Sequence, residues 1–395
     1  MTRIAAVALA MLAIGCQKEN PDFCLTHPGV DGCPLGDGDP DGPPMMCDTT
    51  CANPAQFECV DHVCVSKCFG PGKFEICLDK LPAAGALTLP STIDTADAGM
   101  CDGAPMWPNV TTAPDVCVIA AASITIDQKV DVQGARPLVL VGTTDITIAA
   151  AGELDAASHI GGKAGPNASP ADCVAGTPPQ NIGNFGGGGG GGSFVDLGGG
   201  GGGGDGTTSA GGMPGAALAL PETLRGGCRG QDGGAGTSNP GQKGNGGGAV
   251  YVVAKTKIQL DGKINASGAG ASGGQSSQAG GGGGGAGGMI VVSAAMVVGN
   301  GVLMANGGGG GAGFGNSVGN AGKDPDFADA TANAAGGGGA AGGGTGGVGA
   351  AQSGAGAGTN SGASKGGGGG GGGAGLIYAP AVGGATVSPV PKNLP

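Results

Sequence analysis

Three serines of this 395-residue chain stand in Gly-x-Ser-x-Gly frames. They are Ser272 in Gly270-Ala271-Ser272-Gly273-Gly274, Ser317 in Gly315-Asn316-Ser317-Val318-Gly319, and Ser364 in Gly362-Ala363-Ser364-Lys365-Gly366. A serine in such a frame becomes a nucleophile when a strand-to-helix turn exposes its hydroxyl beside a histidine base. Here glycine is so abundant that the frame recurs by composition alone. Past the cysteine-rich region the one histidine is His159, and no strand-to-helix pattern flanks any of the three serines. Phosphate-binding signatures fare no better. Gly-x-Gly-x-x-Gly recurs without an alternating βαβ pattern. Gly162-Lys163 is followed by Ala164 and Gly322-Lys323 by Asp324, so the Gly-Lys-Ser/Thr element is absent.

The acidic residues are equally uninformative. Asp37, Asp39 and Asp41 alternate as in a calcium loop, but the Glu at the loop's twelfth position and the flanking helices are missing. Asp205 follows the Gly198–Gly204 run, yet Thr207 stands where a calcium-binding nonapeptide needs a large apolar residue. Asp127, Asp131, Glu153, Asp155 and Asp261 fall singly in or beside strand-like segments, without a matching Arg or Lys group. They read as a solvated outer face rather than as the carboxylate pair of a polysaccharide-cleaving site. No catalytic residue, metal or cofactor is expected, and the chain reads as a non-enzyme.

Composition sets the elements that carry these residues. There are 97 Gly and 26 Pro, aromatics are 3% and charged residues 12%. An ordinary enzyme core built on Phe, Tyr, Trp and Leu is therefore not expected, and collagen is excluded, since no Gly-X-Y period is kept. Glycine is uneven along the chain: 13 of the 97 precede residue 152. Formal net charge is -12, which makes nucleic acid and anionic lipid poor partners.

The first residues carry the most specific signal. Arg3 precedes the apolar run Ile4–Ile14, too short to span a bilayer, and Ala13-Ile14-Gly15-Cys16 follows. Residues 1–15 read as a signal peptide. This arrangement resembles the lipobox of bacterial lipoproteins, with Ala13 where the pattern usually has Leu. The resemblance implies lipidation of Cys16 and cleavage before it. Gln17, rather than Asp, follows the cysteine, which by the same resemblance implies the outer membrane of a Gram-negative cell. The chain has 13 cysteines, an odd number; a lipidated Cys16 leaves twelve to pair in an oxidising compartment.

Residues 16–46 form a Pro/Gly/Asp-rich tether holding Cys24 and Cys33, a separate small disulfide loop. Residues 47–82 hold Cys47, Cys51, Cys59, Cys64, Cys68 and Cys77, paired among themselves in one of fifteen ways. The CxxxC spacing could suit zinc, but one nearby histidine, His62, and an exported setting favour disulfides. Cys101 with Cys117 forms a further pair. Cys173 with Cys228 would close a loop of about 56 residues, worth roughly 4 kcal/mol as a constraint on the unfolded chain.

Residues 83–380 alternate short β-branched segments with glycine tracts, and residues 381–395 form a tail. Val116–Ile119, Ile124–Ile126, Val130–Val132, Leu138–Val141, Ile146–Ile148 and Leu154 are echoed at Ala249–Val253, Ile258–Leu260 and Ile264, again at Met289–Val292, Val297–Val298 and Leu303, and last at Leu376–Tyr378. The reading is an all-β chain, a parallel β-solenoid with long Gly-rich insertions, preceded by the disulfide module. Two states of the insertions stay open. Glycine favours an unstructured arm through its backbone entropy. Alternatively, side-chain-free polyproline-II segments can approach closely and pair N–H with C=O.

The lipobox at Cys16, the cysteine-rich stalk and tracts such as Gly280–Gly288 resemble uncharacterised Gly-rich envelope lipoproteins of myxobacterial type. The tracts are also superficially similar to PE-PGRS repeats, without the PE domain. The resemblance implies a lipid-anchored, surface-displayed protein and supplies no activity. The expected role is structural or adhesive, with the membrane reached through the anchor and a glycan or cell-surface partner. A carbohydrate-binding or polysaccharide-acting solenoid and a disordered Gly-rich matrix protein are the alternatives.

Overall fold

The computed structural model describes Cys47, residues 50–380 and residues 384–392. The signal peptide, Cys16, the tether with Cys24 and Cys33, and parts of the tail lie outside the described residues. The chain divides into two compact units, Met1–Cys68 and Phe69–Pro395. The division falls inside the 47–82 stretch.

In the first unit β1 (Phe57–Val60) and β2 (Val63–Ser66) form an antiparallel hairpin. Its turn, Asp61-His62, has φ of 50° and 66°, the pair of positive values that matches the twist of a tight hairpin. Disulfides Cys47–Cys59 and Cys51–Cys64 tie the hairpin to the preceding segment. They substitute for an apolar core too small to hold such a unit.

The strands continue as β3 (Cys68–Phe69), β4 (Ile76–Cys77), β5 (Ala86–Thr88), β6 (Thr92–Asp94), β7 (Cys117–Ile126), β8 (Lys129–Gln133), β9 (Leu138–Ile148) and β10 (Glu153–Asp155). Two short strands, β11 (Asn181–Ile182) and β12 (Phe185–Gly186), pair as a hairpin within the longest glycine arm. Then follow β13 (Ala249–Ala254), β14 (Lys257–Leu260), β15 (Lys263–Asn265), β16 (Met289–Ser293), β17 (Met296–Val298), β18 (Val302–Met304), β19 (Leu376–Tyr378) and β20 (Thr386–Ser388).

Two large parallel sheets organise the second unit. The eight-stranded sheet contains β5, β7, β9, β13, β14, β16, β17 and β19; the six-stranded sheet runs β20-β18-β15-β10-β8-β6. This corrects the expected solenoid: the chain forms two sheets of eight and six strands, not a closed coil. One local reason lies in the long strands. The segments Val116–Ile119 and Ile124–Ile126, and Leu138–Val141 and Ile146–Ile148, are separate in the sequence pattern, but the stretches between them, Ala120–Ser123 and Gly142–Asp145, are not turns. Ala, Ser and Thr are compatible with extended backbone, and β7 and β9 run straight through them, with a single register shift between Ala121 and Ser123. A second reason is the destination of the glycine tracts, which leave the sheets and pack on one another.

The two sheets face each other across one apolar core. Ile124, Ile126, Ile146, Ile148, Val252 and Ile290 from the eight-stranded sheet meet Ile93, Val130, Val132, Leu154, Ile264 and Leu303 from the six-stranded one. The opposite face of the larger sheet is buried too. Val139, Val141, Tyr251, Val291 and Tyr378 pack on Phe74, Ile76, Trp107, Phe194 and Leu224. Burial on both faces explains why β13, Ala-Val-Tyr-Val-Val-Ala, has no polar alternation and all six residues inside. Complete burial of each such large apolar side chain contributes about 1.5–3 kcal/mol.

Candidate functional site

The glycine arms are ordered, and hydrogen bonding shows how. In the tract 279–288, Gly280, Gly283 and Ala286 donate to the carbonyls of Gly234, Gln231 and Cys228. Gly281, Gly284 and Gly287 donate to Gly367, Gly370 and Gly373; Gly282, Gly285 and Gly288 donate to Ser272, Ala269 and Ala266. These nine bonds measure 2.7–3.0 Å. Recurrence on every third residue is the signature of a three-residue-per-turn polyproline-II helix. The carbonyls are used with the same period. Gly241, Gly244 and Gly247 donate to Gly280, Gly283 and Ala286; Gly189 and Gly192 to Gly281 and Gly284; Gly308 and Gly311 to Gly285 and Gly282. One extended segment thus has six bonded neighbours.

The tract 366–373 is a second centre of the same kind. It donates to segments around Gly189, Gly311 and Gly356, and accepts from segments around Gly284, Gly202 and Gly347. Backbone takes all the space around these helices. A β-carbon on Gly283 would lie 2.0 Å from the Gly190 carbonyl oxygen, on Gly284 2.1 Å from that of Gly308, and on Gly285 1.9 Å from that of Asn245. Three consecutive residues face three different segments, so only glycine fits. Where the tract meets the sheet the rule relaxes, and the Ala286 side chain enters the apolar layer on Tyr251 and Phe194.

The second notable assembly is a charged cluster on the outer side of the six-stranded sheet. β8 and β10 lie in register, Asp131 beside Asp155 and Lys129 beside Glu153. Asp155 is fully buried. Its Oδ2 accepts from Lys129 Nζ at 2.9 Å and lies 3.0 Å from His159 Nε2. Lys163 Nζ lies 3.6 Å from the same oxygen and donates to the main-chain carbonyls of Asp155 and Val132. The other His159 nitrogen, Nδ1, lies 3.4 Å from Asp324 Oδ2. Asp324 in turn accepts from the amides of Ile160 and Gly270.

Burial alone would raise the Asp155 pKa. His159, Lys163 and Lys129 more than offset that and hold the carboxyl well below its usual range. Hydrogen bonds to Asp155 and Asp324 push His159 up to about 9, so the imidazolium is the resting form at neutral pH. Lys129 is shifted upward: burial opposes the shift, and its bond to Asp155 carries it. Lys163 is shifted downward by burial. The reading of these acids as a solvated face is therefore corrected at Asp155. Lys129 and Lys163 supply cations beside Asp131, Glu153 and Asp155, so these acids do have matching bases. Asp127 and Asp261 are exposed, and Asp261 accepts from Gln259 at 2.9 Å. The cluster fastens the last arm, through Asp324, to the start of the longest one.

His159 has both ring nitrogens committed to carboxylates, and the three framed serines have lattice or turn partners instead. Ser272 Oγ accepts from the Gln242 amide at 2.6 Å, Ser317 offers its carbonyl to Gly315, and the Ser364 amide donates to Asp205 Oδ1. Asp205 takes part in the turn that reverses an arm, with φ of 49°.

Among the cysteines, Cys101–Cys117 and Cys173–Cys228 are disulfides. Cys68 and Cys77 are also disulfide-bonded. The sulfurs of Cys47, Cys51 and Cys64 lie within 4.8 Å of one another, but two disulfides use them, so they are not free thiolate ligands. The side chains of Leu78, Leu81, Asp102, Pro105 and Val118 border a cleft of about 290 Å³ at the edge of the larger sheet. Asp102 closes that edge by bonding the Val118 carbonyl and the Ala120 amide. No helix among the described residues is long and apolar enough to cross a membrane. No family model, curated protein or solved structure matches the chain.

Proposed function

We propose that the chain is a non-enzymatic, lipid-anchored surface protein of the bacterial envelope with a structural or adhesive role. The observation that carries this reading is the glycine lattice. Its interior is backbone, and amides and carbonyls of neighbouring tracts bond one another to hold it together. A backbone interior of this kind presents no side chains for catalysis, a property suited to a displayed structural element. The disulfides suit an oxidising exterior. The sequence around Cys16 supports an acyl anchor, and twelve further cysteines suit export. A carbohydrate-acting site would be expected to present aromatic platforms, whereas Trp107, Tyr251 and Tyr378 are buried.

The test has three arms. Cells expressing the full chain are labelled with a radioactive or clickable fatty acid and fractionated, with Cys16→Ser as the control. Label in the envelope fraction that Cys16→Ser abolishes is the expected result; unlabelled protein in the soluble fraction would overturn the anchor. Intact cells are then treated with an added protease and probed for the chain. Cleavage of the tether before lysis supports display, whereas complete protection would remove the surface role. A glycan and cell-binding screen of residues 17–395 then separates adhesion from a purely structural role.

A further inference from the structure

The Cys173–Cys228 disulfide differs from the others in what touches it. The Nη2 group of Arg225 lies 3.5 Å from Cys173 Sγ and 3.7 Å from Cys228 Sγ. The guanidinium is fixed in that place from two other directions. Its Nη1 bonds Asp172 Oδ2 at 2.7 Å, and its plane lies 5.5 Å from the centre of the buried Phe194 ring. The two sulfurs are unequally placed. Cys228 is buried, and its carbonyl is part of the lattice, accepting from Ala286. Cys173 is half-buried, between the exposed residues Asp172 and Val174. By contrast, at Cys101–Cys117 the neighbouring Arg136 contacts Cys101 alone, at 3.2 Å, while Cys117 is fully enclosed in the apolar core.

We propose that Cys173–Cys228 is a thiol-exchange site, at which a low-molecular-weight thiol of the cysteine or glutathione class becomes attached to Cys173. The incoming thiolate attacks Cys173 Sγ, the sulfur nearer solvent. A new S–S bond forms between the small thiol and Cys173, the Cys173–Cys228 bond breaks, and its electron pair leaves on Cys228 as a thiolate. Arg225 faces that thiolate and stabilises it. A lower leaving-group pKa speeds exchange, and a fixed positive charge is the means of lowering it. A second small thiol can then attack the mixed disulfide, leaving Cys173 as a thiolate and releasing the oxidised small-molecule disulfide. The lattice holds Cys228 in place, so before that second attack its thiolate can instead attack Cys173 Sγ of the mixed disulfide, reform the bridge and release the small molecule as a thiolate.

The experiment uses the full chain with its disulfides formed. It is incubated with reduced glutathione at neutral pH, quenched by alkylation over a time course, and mapped by peptide mass. The expected first product carries glutathione on Cys173 and the alkyl label on Cys228, with Cys47–Cys59, Cys51–Cys64 and Cys101–Cys117 intact. Arg225→Gln should slow this exchange about tenfold, and Arg225→Lys should slow it less. Asp172→Asn frees the guanidinium from its carboxylate and should speed it. Circular dichroism of each variant reports folding, and the Asp172→Asn arm decides the matter if Arg225→Gln does not fold. Glutathione on Cys228, equal rates at Cys101–Cys117, or rates indifferent to these substitutions would overturn the proposal.

Discussion

Gly284 donates its amide hydrogen to the carbonyl of Gly370 at 2.9 Å, and Gly370 donates its own to Gly189 at the same distance. The two centres of the lattice are therefore bonded to each other directly, with no side chain between them. Gly284→Ala would place a methyl group 2.1 Å from the Gly308 carbonyl oxygen. Main chain must move to admit it, and overpacking of this kind costs about 3 kcal/mol. Gly354 is the matched control, since a β-carbon there meets nothing within 4 Å. Gly354→Ala should leave stability unchanged or raise it by about 0.4–1 kcal/mol through the unfolded chain. Urea unfolding of the two variants side by side checks the contrast.

Much of the strand content could be read from the sequence, because β-branched runs such as Val250–Val253 and Ile290–Val292 have few other places to go. The assembly of those strands into two sheets could not. Ala120–Ser123 is locally compatible with either a turn or extended chain, and only pairing with Val141–Asp145 across the sheet decides it. The glycine arms were legible as recurring tracts, with packed polyproline-II pairing as one of two open states, but which segments pair was not, since the partner of Gly281 is Gly367, far along the chain. Asp155 shows the same limit. Its side chain looks like any strand carboxylate until Lys129, His159 and Lys163 are seen around it, with Asp324 behind them.

The His159 bridge predicts a pH dependence with a definite sign. Its folded pKa of about 9 lies above the ordinary value of 6.5, so the native state binds this proton more tightly than the unfolded chain does. The contribution is full below pH 6.5 and is lost as pH rises through 9. The groups facing the ring are Asp155 and Asp324, with Lys129 and Lys163 on the far side of Asp155. Stability measured by chemical unfolding should therefore fall between pH 6.5 and 9.5. His159→Gln should be less stable at pH 6 and should lose most of this slope. A wild-type slope retained in the variant would assign the effect elsewhere.

Asp155→Asn keeps the shape of the side chain and removes the negative charge on which two lysines and one imidazolium converge. Breaking a buried ion pair by deleting one partner costs about 3 kcal/mol or more. The neighbouring strand shows that the backbone accepts an amide at this register, because Asn265 is the direct partner of Asp155. The loss should therefore be electrostatic and carry its own signature. In Asp155→Asn the His159 pKa, followed by NMR, should drop toward its ordinary value, whereas in Asn265→Asp it should not drop. An unchanged His159 titration in Asp155→Asn would contradict the assigned network.

The lattice also predicts how its amides exchange with solvent. A polyproline-II helix has no hydrogen bonds within itself. Each glycine amide is consequently protected only by a neighbouring segment, and an interior helix cannot open without parting from three acceptor segments at once. Exchange should proceed from the rim inward. Gly354, exposed and with nothing within 4 Å of where a β-carbon would stand, should exchange within seconds. Gly281, Gly284 and Gly287 donate to the 367–373 segment, which is itself enclosed, and should exchange only with opening of the whole unit. Deuterium uptake resolved to individual glycines distinguishes the cases. Rapid exchange throughout 280–288 in the native protein would show that the arms are not packed as a lattice in solution.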